Sequence, residues 1–476
     1  MGQSGRVVQV GRVGRVGWIS LGSLVLLAAA WFDFSPRLRG PAPYPPEWRW
    51  DFHRLATGDR IGPALVAFAG LVALIALSGS RRALASPRRW RTALLVGGAA
   101  LGFAFQTATV ALQPNGVTRT WIARTTNGVI NSYFTMAEQT GGLPASTLVA
   151  RYDAEMQQRG TSAMHAVTHP PGPILFYRAL LALFENRETA ALAGAIVFGA
   201  LGILACVPLA ASVEMLTGDP LVAARVGMLW TLCPALFHFS PYPDQALAGL
   251  ITAALALLLA AGRAVAERRL IFTLAASACL AIALFLSYGS FAYAAVAMLV
   301  VISVEWPLRG PARTAALVLT AAAFVGLLIA TAGTWGFNYL ASARTALGIH
   351  RLEYTAPRQY STWLWANLMD ATMFAGVPVI LFGVWGCIVG ATRKGWASDA
   401  SMRARVAVLA GILLLDVSGT TRGEVGRIWV PMMPMMFLGL VPSAGNRSAT
   451  LSVAESMTVA TLLAAFTLAF ALRWGA

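Results

Sequence analysis

Runs of about 17–25 apolar residues recur along this chain, and that length crosses the hydrocarbon core of a bilayer as a helix. They constrain the fold more than any motif does, because they imply an all-α polytopic membrane protein. Charged residues make up only 12% of the 476, against roughly a quarter in soluble domains. That shortage excludes an ordinary soluble enzyme, a disordered chain and a nucleic-acid-binding domain. The net charge of +16 therefore points to membrane topology and to attraction for anionic lipid or phosphate, and no nucleic-acid partner is expected. Cys206, Cys233, Cys279 and Cys387 all fall in apolar runs, with no CxxC pair. Neither disulfides nor a cysteine metal site is expected.

Hydropathy predicts about 13 spans, over 16–32, 61–79, 92–112, 190–213, 221–240, 245–262, 270–287, 290–304, 314–335, 370–391, 406–418, 428–443 and 453–472. The run at 406–418 is short and holds Asp416. The first run also has the form of a signal peptide, with Ala28-Ala29-Ala30 as its cleavage site. A retained span fits the alternation of sides better. Three parts are expected: an N-terminal two-helix addition (1–91), a transmembrane core (92–444) and a C-terminal helix (445–476).

Arginine placement orients the chain. Dense basic loops carry Arg81, Arg82, Arg88, Arg89 and Arg91; Arg263, Arg268 and Arg269; Arg309 and Arg313; and Arg393, Lys394, Arg403 and Arg405. The tail (Arg6, Arg12, Arg15) and Arg447 lie on the same side, which is read as cytoplasmic. Most acidic residues fall on the other side, in longer loops. Loops carry chemistry more often than the scaffold does, so the outer face is the expected active face.

Five outer segments carry the candidates. The first, 33–60, is rich in Pro and Trp, and Trp31, Trp48 and Trp50 suit an interfacial belt. The second, 113–189, is too polar to span. It reads as amphipathic helices over 126–139 and 148–159, then the turn His165–His169 before Pro170-Pro171-Gly172-Pro173. Those prolines forbid one continuous helix, so both imidazoles sit on a turn. Substrate hydrogen bonding, a two-histidine metal site and a structural role all remain open for them. In the third, Pro-Tyr-Pro-Asp-Gln (241–245), Asp244 sits at the membrane boundary, where an ionisable group is costly unless it works or is paired. A helix N-cap is the bland alternative. The fourth, 416–431, clusters Arg422, Glu424 and Arg427 among Gly419, Gly423 and Gly426. Arginine forks suit phosphate, and an internal ion pair that fixes the turn is the competing reading. The fifth, 336–369, carries Arg344, His350, Arg351, Glu353, Tyr354 and Arg358 as an outer segment that would contact acceptor or lipid phosphate.

The order of these features resembles the GT-C superfamily of integral-membrane glycosyltransferases, which includes the dolichyl-phosphate-mannose protein mannosyltransferases and the bacterial aminoarabinose transferases. The likeness covers about 92–440. It rests on the long outer loop ending in His-Pro-Pro-Gly-Pro, the two spans that follow, Asp244 at the next outer turn, and Arg-Gly-Glu-Val-Gly-Arg-Ile-Trp (422–429). The resemblance implies transfer of a sugar from a polyprenyl-phosphate donor to an extracytoplasmic acceptor, at the outer face of a bacterial cytoplasmic membrane. A carboxylate would take the acceptor proton. Arginines, in some members with a divalent metal such as Mg or Mn, would stabilise the leaving phosphate. Family members carry an acidic residue early in the large outer loop. The matching stretch here, Asn131-Ser132-Tyr133-Phe134, has none. The base candidates are therefore Asp244, Asp153 and Glu155, with Glu138 behind them. Asn131, Tyr133, His165 and His169 would contact substrate, and Arg422, Glu424 and Arg427 the phosphate. A transporter or flippase of lipid-linked sugar, or a non-catalytic envelope-assembly subunit, is the alternative. A transporter predicts inverted repeats and mid-span charges; no clear repeat appears, and only Arg225 and Asp416 are of that kind.

Overall fold

The computed structural model describes residues 17, 19–25, 60–129, 131–163, 165–392, 399–441 and 451–473. The basic tail, the Ala28–Ala30 site, Trp31, Trp48, Trp50, Arg393, Lys394 and Arg447 lie outside the described residues. The described chain is helical, with no strand. Its elements are α1 (Gly62–Leu77), α2 (Pro87–Val110), α3 (Gly116–Thr126), α4 (Ser132–Gln139), α5 (Tyr152–Gln158), α6 (Gly172–Leu183), α7 (Arg187–Thr217), α8 (Pro220–His238), α9 (Pro243–Arg263), α10 (Ala266–Leu286), α11 (Ser290–Arg309), α12 (Pro311–Gly333), α13 (Tyr339–His350), α14 (Tyr360–Ala375), α15 (Val377–Ala391), α16 (Ala400–Val417) and α17 (Val453–Arg473).

Among the described residues, eight helices are long and apolar enough to cross a membrane: α2, α7 to α12 and α17. They coincide with eight of the thirteen expected runs. The others differ for identifiable reasons. The 370–391 run breaks at Gly376, which has φ 104°, and α14 and α15 meet there at 110°. Over 428–441, the described part of the 428–443 run, there are only short helical turns, because Pro431 and Pro434 interrupt the hydrogen-bond ladder. The 61–79 run yields the 16-residue α1. Asp416, Arg403 and Arg405 are all buried in α16. Of the first run, only residues within 17–25 are described.

α8 is the centre of the bundle, with 94% of its apolar window buried. Such a position demands that every polar group find a partner inside the protein. Arg225 donates to Ser78 Oγ at 3.1 Å. Trp230 Nε1 donates to the Gly202 carbonyl at 2.8 Å. Beyond Trp230 the helix falters at Pro234, and the chain turns through a cis Ser240–Pro241 bond before α9. The carbonyls exposed by that break are met from outside. Gln106 of α2 and Gln245 of α9 both donate to Leu236 O at 2.5 Å. Arg124 of α3 donates to Ser240 O at 2.7 Å and to His238 O at 3.4 Å. These contacts fix the direction in which α9 starts, and so the position of Asp244.

The long outer loop folds as a helical layer with a small core of its own, in which Phe134, Met136, Tyr152, Met156, Ile174 and Tyr177 are buried. Tyr152 Oη donates to Ala166 O at 2.9 Å, and the Ala166 amide to Ser132 Oγ at 3.0 Å. α4 and α5 thereby clamp the histidine turn. The Pro-Pro-Gly-Pro segment starts α6 hard against α10, and a methyl group on Gly172 would overlap the Phe285 carbonyl oxygen. Gly172→Ala is therefore expected to push α6 off α10 and to cost about 1–3 kcal/mol. Thermal unfolding of the detergent-solubilised protein checks this, and an unchanged melting temperature would refute the packing argument.

Candidate active site

Residues from five separate stretches converge on one cavity of about 400 Å³ at the end of the bundle where α9 and α11 begin and α10 ends. This is the end opposite Arg263, Arg268, Arg269, Arg309 and Arg313. Tyr133, His165 and His169 come from the outer layer, Tyr242 and Asp244 from the start of α9, and Tyr288 and Tyr293 from the α10–α11 corner. His350, Tyr354 and Arg358 come from α13 and the turn after it, and Arg422, Glu424 and Arg427 from the segment after α16. The remaining wall is apolar, with Phe291, Leu347, Leu415 and Ile428.

Arg427 is the electrostatic centre. Its Nη2 lies 2.8 Å from Glu424, its Nε lies 4.0 Å from Asp244, and its guanidinium sits 5.8 Å from the Tyr242 ring centre. Burial works against the charge, yet Glu424 and Asp244 together raise its proton affinity above the usual arginine value. Glu424 is held below the ordinary glutamate range by Arg427, with Arg358, 3.6 Å away, adding to the effect. Asp244 makes no side-chain cap for α9, whose N-cap is Tyr242, so the bland reading of Asp244 fails.

The loop that presents Glu424 is held in an uncommon conformation. Gly419 and Gly423 have φ of 61° and 87°, a region closed to most residues. Glu424 itself has φ 56°, the sole non-glycine case among the described residues. Asn367 of α14 holds it there: its Oδ1 accepts from the Gly423 amide at 3.0 Å, and its Nδ2 donates to Thr421 O at 2.9 Å and to Asp416 Oδ1 at 3.0 Å. Arg358 and Arg422 then lock the loop reciprocally. Arg422 donates to Arg358 O at 2.7 Å and to Thr355 O at 3.3 Å, while Arg358 donates to Arg422 O.

The expected residues thus divide. Asp244, Tyr133, His165, His169, Arg422, Glu424 and Arg427 line the cavity. Three do not. Glu155 forms an i,i+4 pair with Arg159 at 3.3 Å on α5. Asp153 is turned to Ser342 of α13, whose hydroxyl donates to it at 2.5 Å. Asn131 is fully buried at the start of α4. Arg422 needs a second correction, since its guanidinium is spent on loop carbonyls and on the Tyr360 ring, 5.3 Å away. Arg427, with Arg358 behind it, is the cation left facing the cavity's carboxylates. Sequence reading missed Tyr288, Tyr293 and Asn367. The last had a signal, as an amide inside an apolar helix.

The carboxylates do not fit a divalent metal. Both are engaged by guanidinium, His165 Nε2 contacts Val129 O at 3.0 Å, and His169 Nδ1 contacts His165 O at 2.9 Å. Among the described residues no three His, Cys, Asp or Glu side chains converge as ligands. The turn between the histidines also breaks the i,i+4 pairing a helix would give. Burial, with His165 beside it, drives His169 down to about 3, and His165 is lowered by burial and by Arg427. Both are neutral imidazoles at pH 7, suited to hydrogen bonding.

Fold and site together define a polytopic α-helical membrane protein with a charged, half-apolar cavity at one end of its bundle. No family model, curated protein or solved structure matches the chain.

The imidazole of His169 makes stability depend on pH with a definite sign. The unfolded chain binds a proton near pH 6.5 and the folded one only near 3, so stability falls as pH drops through that window, by at most about 1.4 kcal/mol per pH unit. Melting temperatures recorded from pH 7 to 4 should decline in the wild type and decline less in His169→Gln. Parallel curves would contradict the burial argument.

Proposed function

We propose that the protein is a membrane glycosyltransferase of the GT-C type, which moves a sugar from a polyprenyl-phosphate donor to a hydroxyl acceptor on the outer side of a bacterial cytoplasmic membrane. The observation that carries this reading is the Arg427–Asp244 ion pair, 4.0 Å apart, on the wall of a cavity that is apolar on its other side. A lipid-linked phosphate needs a cation, an apolar wall and a nearby base, and these three occur together here.

The Arg427–Asp244 contact is longer than a hydrogen bond, whereas Arg427–Glu424 is a close pair. Glu424 anchors the guanidinium, and an incoming phosphate would displace Asp244 from it. Asp244 would then accept the proton of the acceptor hydroxyl as its oxygen bonds to the anomeric carbon. The bond from that carbon to the phosphate oxygen breaks, and the new phosphate charge falls to Arg427 and Arg358. With Asp244 and Glu424 against Arg427, Arg358 and Arg422, the charged side chains sum to +1, which suits an anionic ligand. Tyr133, Tyr242, His165 and His169 supply neutral hydrogen-bonding groups for a sugar. No step in this scheme runs through a metal.

A transport role has one observation in its favour, the 110° break between α14 and α15, since discontinuous helices are a feature of transporters. Proteoliposomes with radiolabelled polyprenyl-phosphate sugars and crude envelope acceptor separate the two. Wild type should transfer label, Asp244→Asn and Arg427→Ala should each lose about a hundredfold or more, and Glu155→Gln should keep it. Full transfer by Asp244→Asn would remove Asp244 as the base. Absent transfer with saturable scrambling of the lipid would replace the enzyme by a transporter.

A further inference from the structure

Asp153 lies outside the cavity yet is joined to it. Its Oδ1 accepts from Ser342 Oγ at 2.5 Å, and Ser342 Oγ lies 2.6 Å from Tyr288 Oη, which lines the cavity. The three residues come from α5, α13 and the α10–α11 corner, elements far apart in sequence. The chain is also rigid: Ser342 is 2% exposed, and the Tyr339 ring packs edge-on to Tyr288 at 5.3 Å.

The direction of this chain follows from proton counting. A carboxylate only accepts, and a serine hydroxyl and a phenol each have one proton to give. Ser342 spends its proton on Asp153, so it can meet Tyr288 only as acceptor. Tyr288 must then give its proton to Ser342, and its oxygen keeps only lone pairs for the cavity. Burial raises the Tyr288 phenol above its usual range, and the charge of Asp153 adds to this, so the neutral phenol persists. The guanidinium of Arg427 can only donate. The cavity therefore has an accepting wall at Tyr288 and a donating wall at Arg427.

We propose that Asp153 fixes the polarity of the Asp153–Ser342–Tyr288 chain, and that Tyr288 is thereby an obligate acceptor for a hydroxyl of a polyhydroxylated ligand in the cavity. Asp153 is then a positioning residue rather than a base. The sugar as ligand rests on the glycosyltransferase reading; the polarity of the chain does not. On this assignment a phosphate or carboxylate is repelled from the Tyr288 wall and directed to Arg427.

The test uses full-length protein in nanodiscs with 3-fluorotyrosine placed at position 288 and read by fluorine NMR. Asp153→Asn is nearly isosteric and removes both the charge and the fixed polarity. The ionisation midpoint of the fluorotyrosine is expected to fall by about one pH unit in Asp153→Asn, since the phenolate loses a neighbouring charge and gains a donor in Ser342. An unchanged midpoint would overturn the coupling. Titration with octyl glucoside and octyl mannoside should move the resonance saturably in the otherwise wild-type protein, and at least tenfold more weakly in Asp153→Asn. No saturable shift with either glycoside would overturn the hydroxyl assignment, even if sugar transfer were observed. In the transfer assay, Tyr288→Phe should raise KM about tenfold with kcat within threefold, a split that a merely structural loss would not give. A wild type that transfers nothing would sink the enzyme reading alone, because both NMR arms read the chain without turnover.

Discussion

One guanidinium between two carboxylates ties the molecule together. Arg427 bridges Glu424, on its own loop, and Asp244, at the start of α9. A charge taken out of water costs several kcal/mol unless it is paired; Arg427 holds Glu424 ionised together with Arg358 and works against the cost of burying the charge of Asp244. The same need fixes the relative position of two segments some 180 residues apart in sequence. The loop bearing Glu424 must enter a left-handed conformation to reach, and Asn367 supplies the hydrogen bonds that keep it there. Removing the pair would leave the strained loop to the hydrogen bonds of Asn367, Arg358 and Arg422 alone.

The other half of the site depends on a helix that is allowed to break. After Trp230 the chain of α8 loses regular hydrogen bonding while buried inside the bundle, where water cannot replace it. Gln106, Gln245 and Arg124 replace it instead. Each is a polar side chain on an otherwise apolar or outer helix, and each points at the same turn. That turn delivers Tyr242 and Asp244 to the cavity. Backbone satisfaction and site geometry are thus one problem solved once.

Much of the fold was legible in the sequence. Eight apolar runs became eight long helices, because burial in lipid rewards length and hydropathy with little reference to tertiary context. The runs that changed character did so at Gly376, Pro431 and Pro434, where backbone chemistry outweighs hydropathy. Of the site, Asp244, His165, His169, Glu424 and Arg427 stood out as charged or polar groups beside apolar segments, and they meet in the cavity. Asp153 and Glu155 were indistinguishable from them by type. Only the packing of α5 against α13 turns Asp153 to Ser342, and only the helical repeat within α5 hands Glu155 to Arg159.

The sequence by itself determined that the chain is an all-helical membrane protein, which side of it is arginine-dense, and which residue types were available for chemistry. Those properties follow from local composition, since the bilayer acts on each segment separately. Tertiary structure alone decided which carboxylates line the cavity, that Arg422 serves the loop while Arg427 serves the site, and that Asp153 is joined to Tyr288 through Ser342. Each of these depends on which partner lies within about 3 Å of a side chain, a distance at which hydrogen bonds and ion pairs act. Sequence spacing does not encode that distance across 100 or more residues.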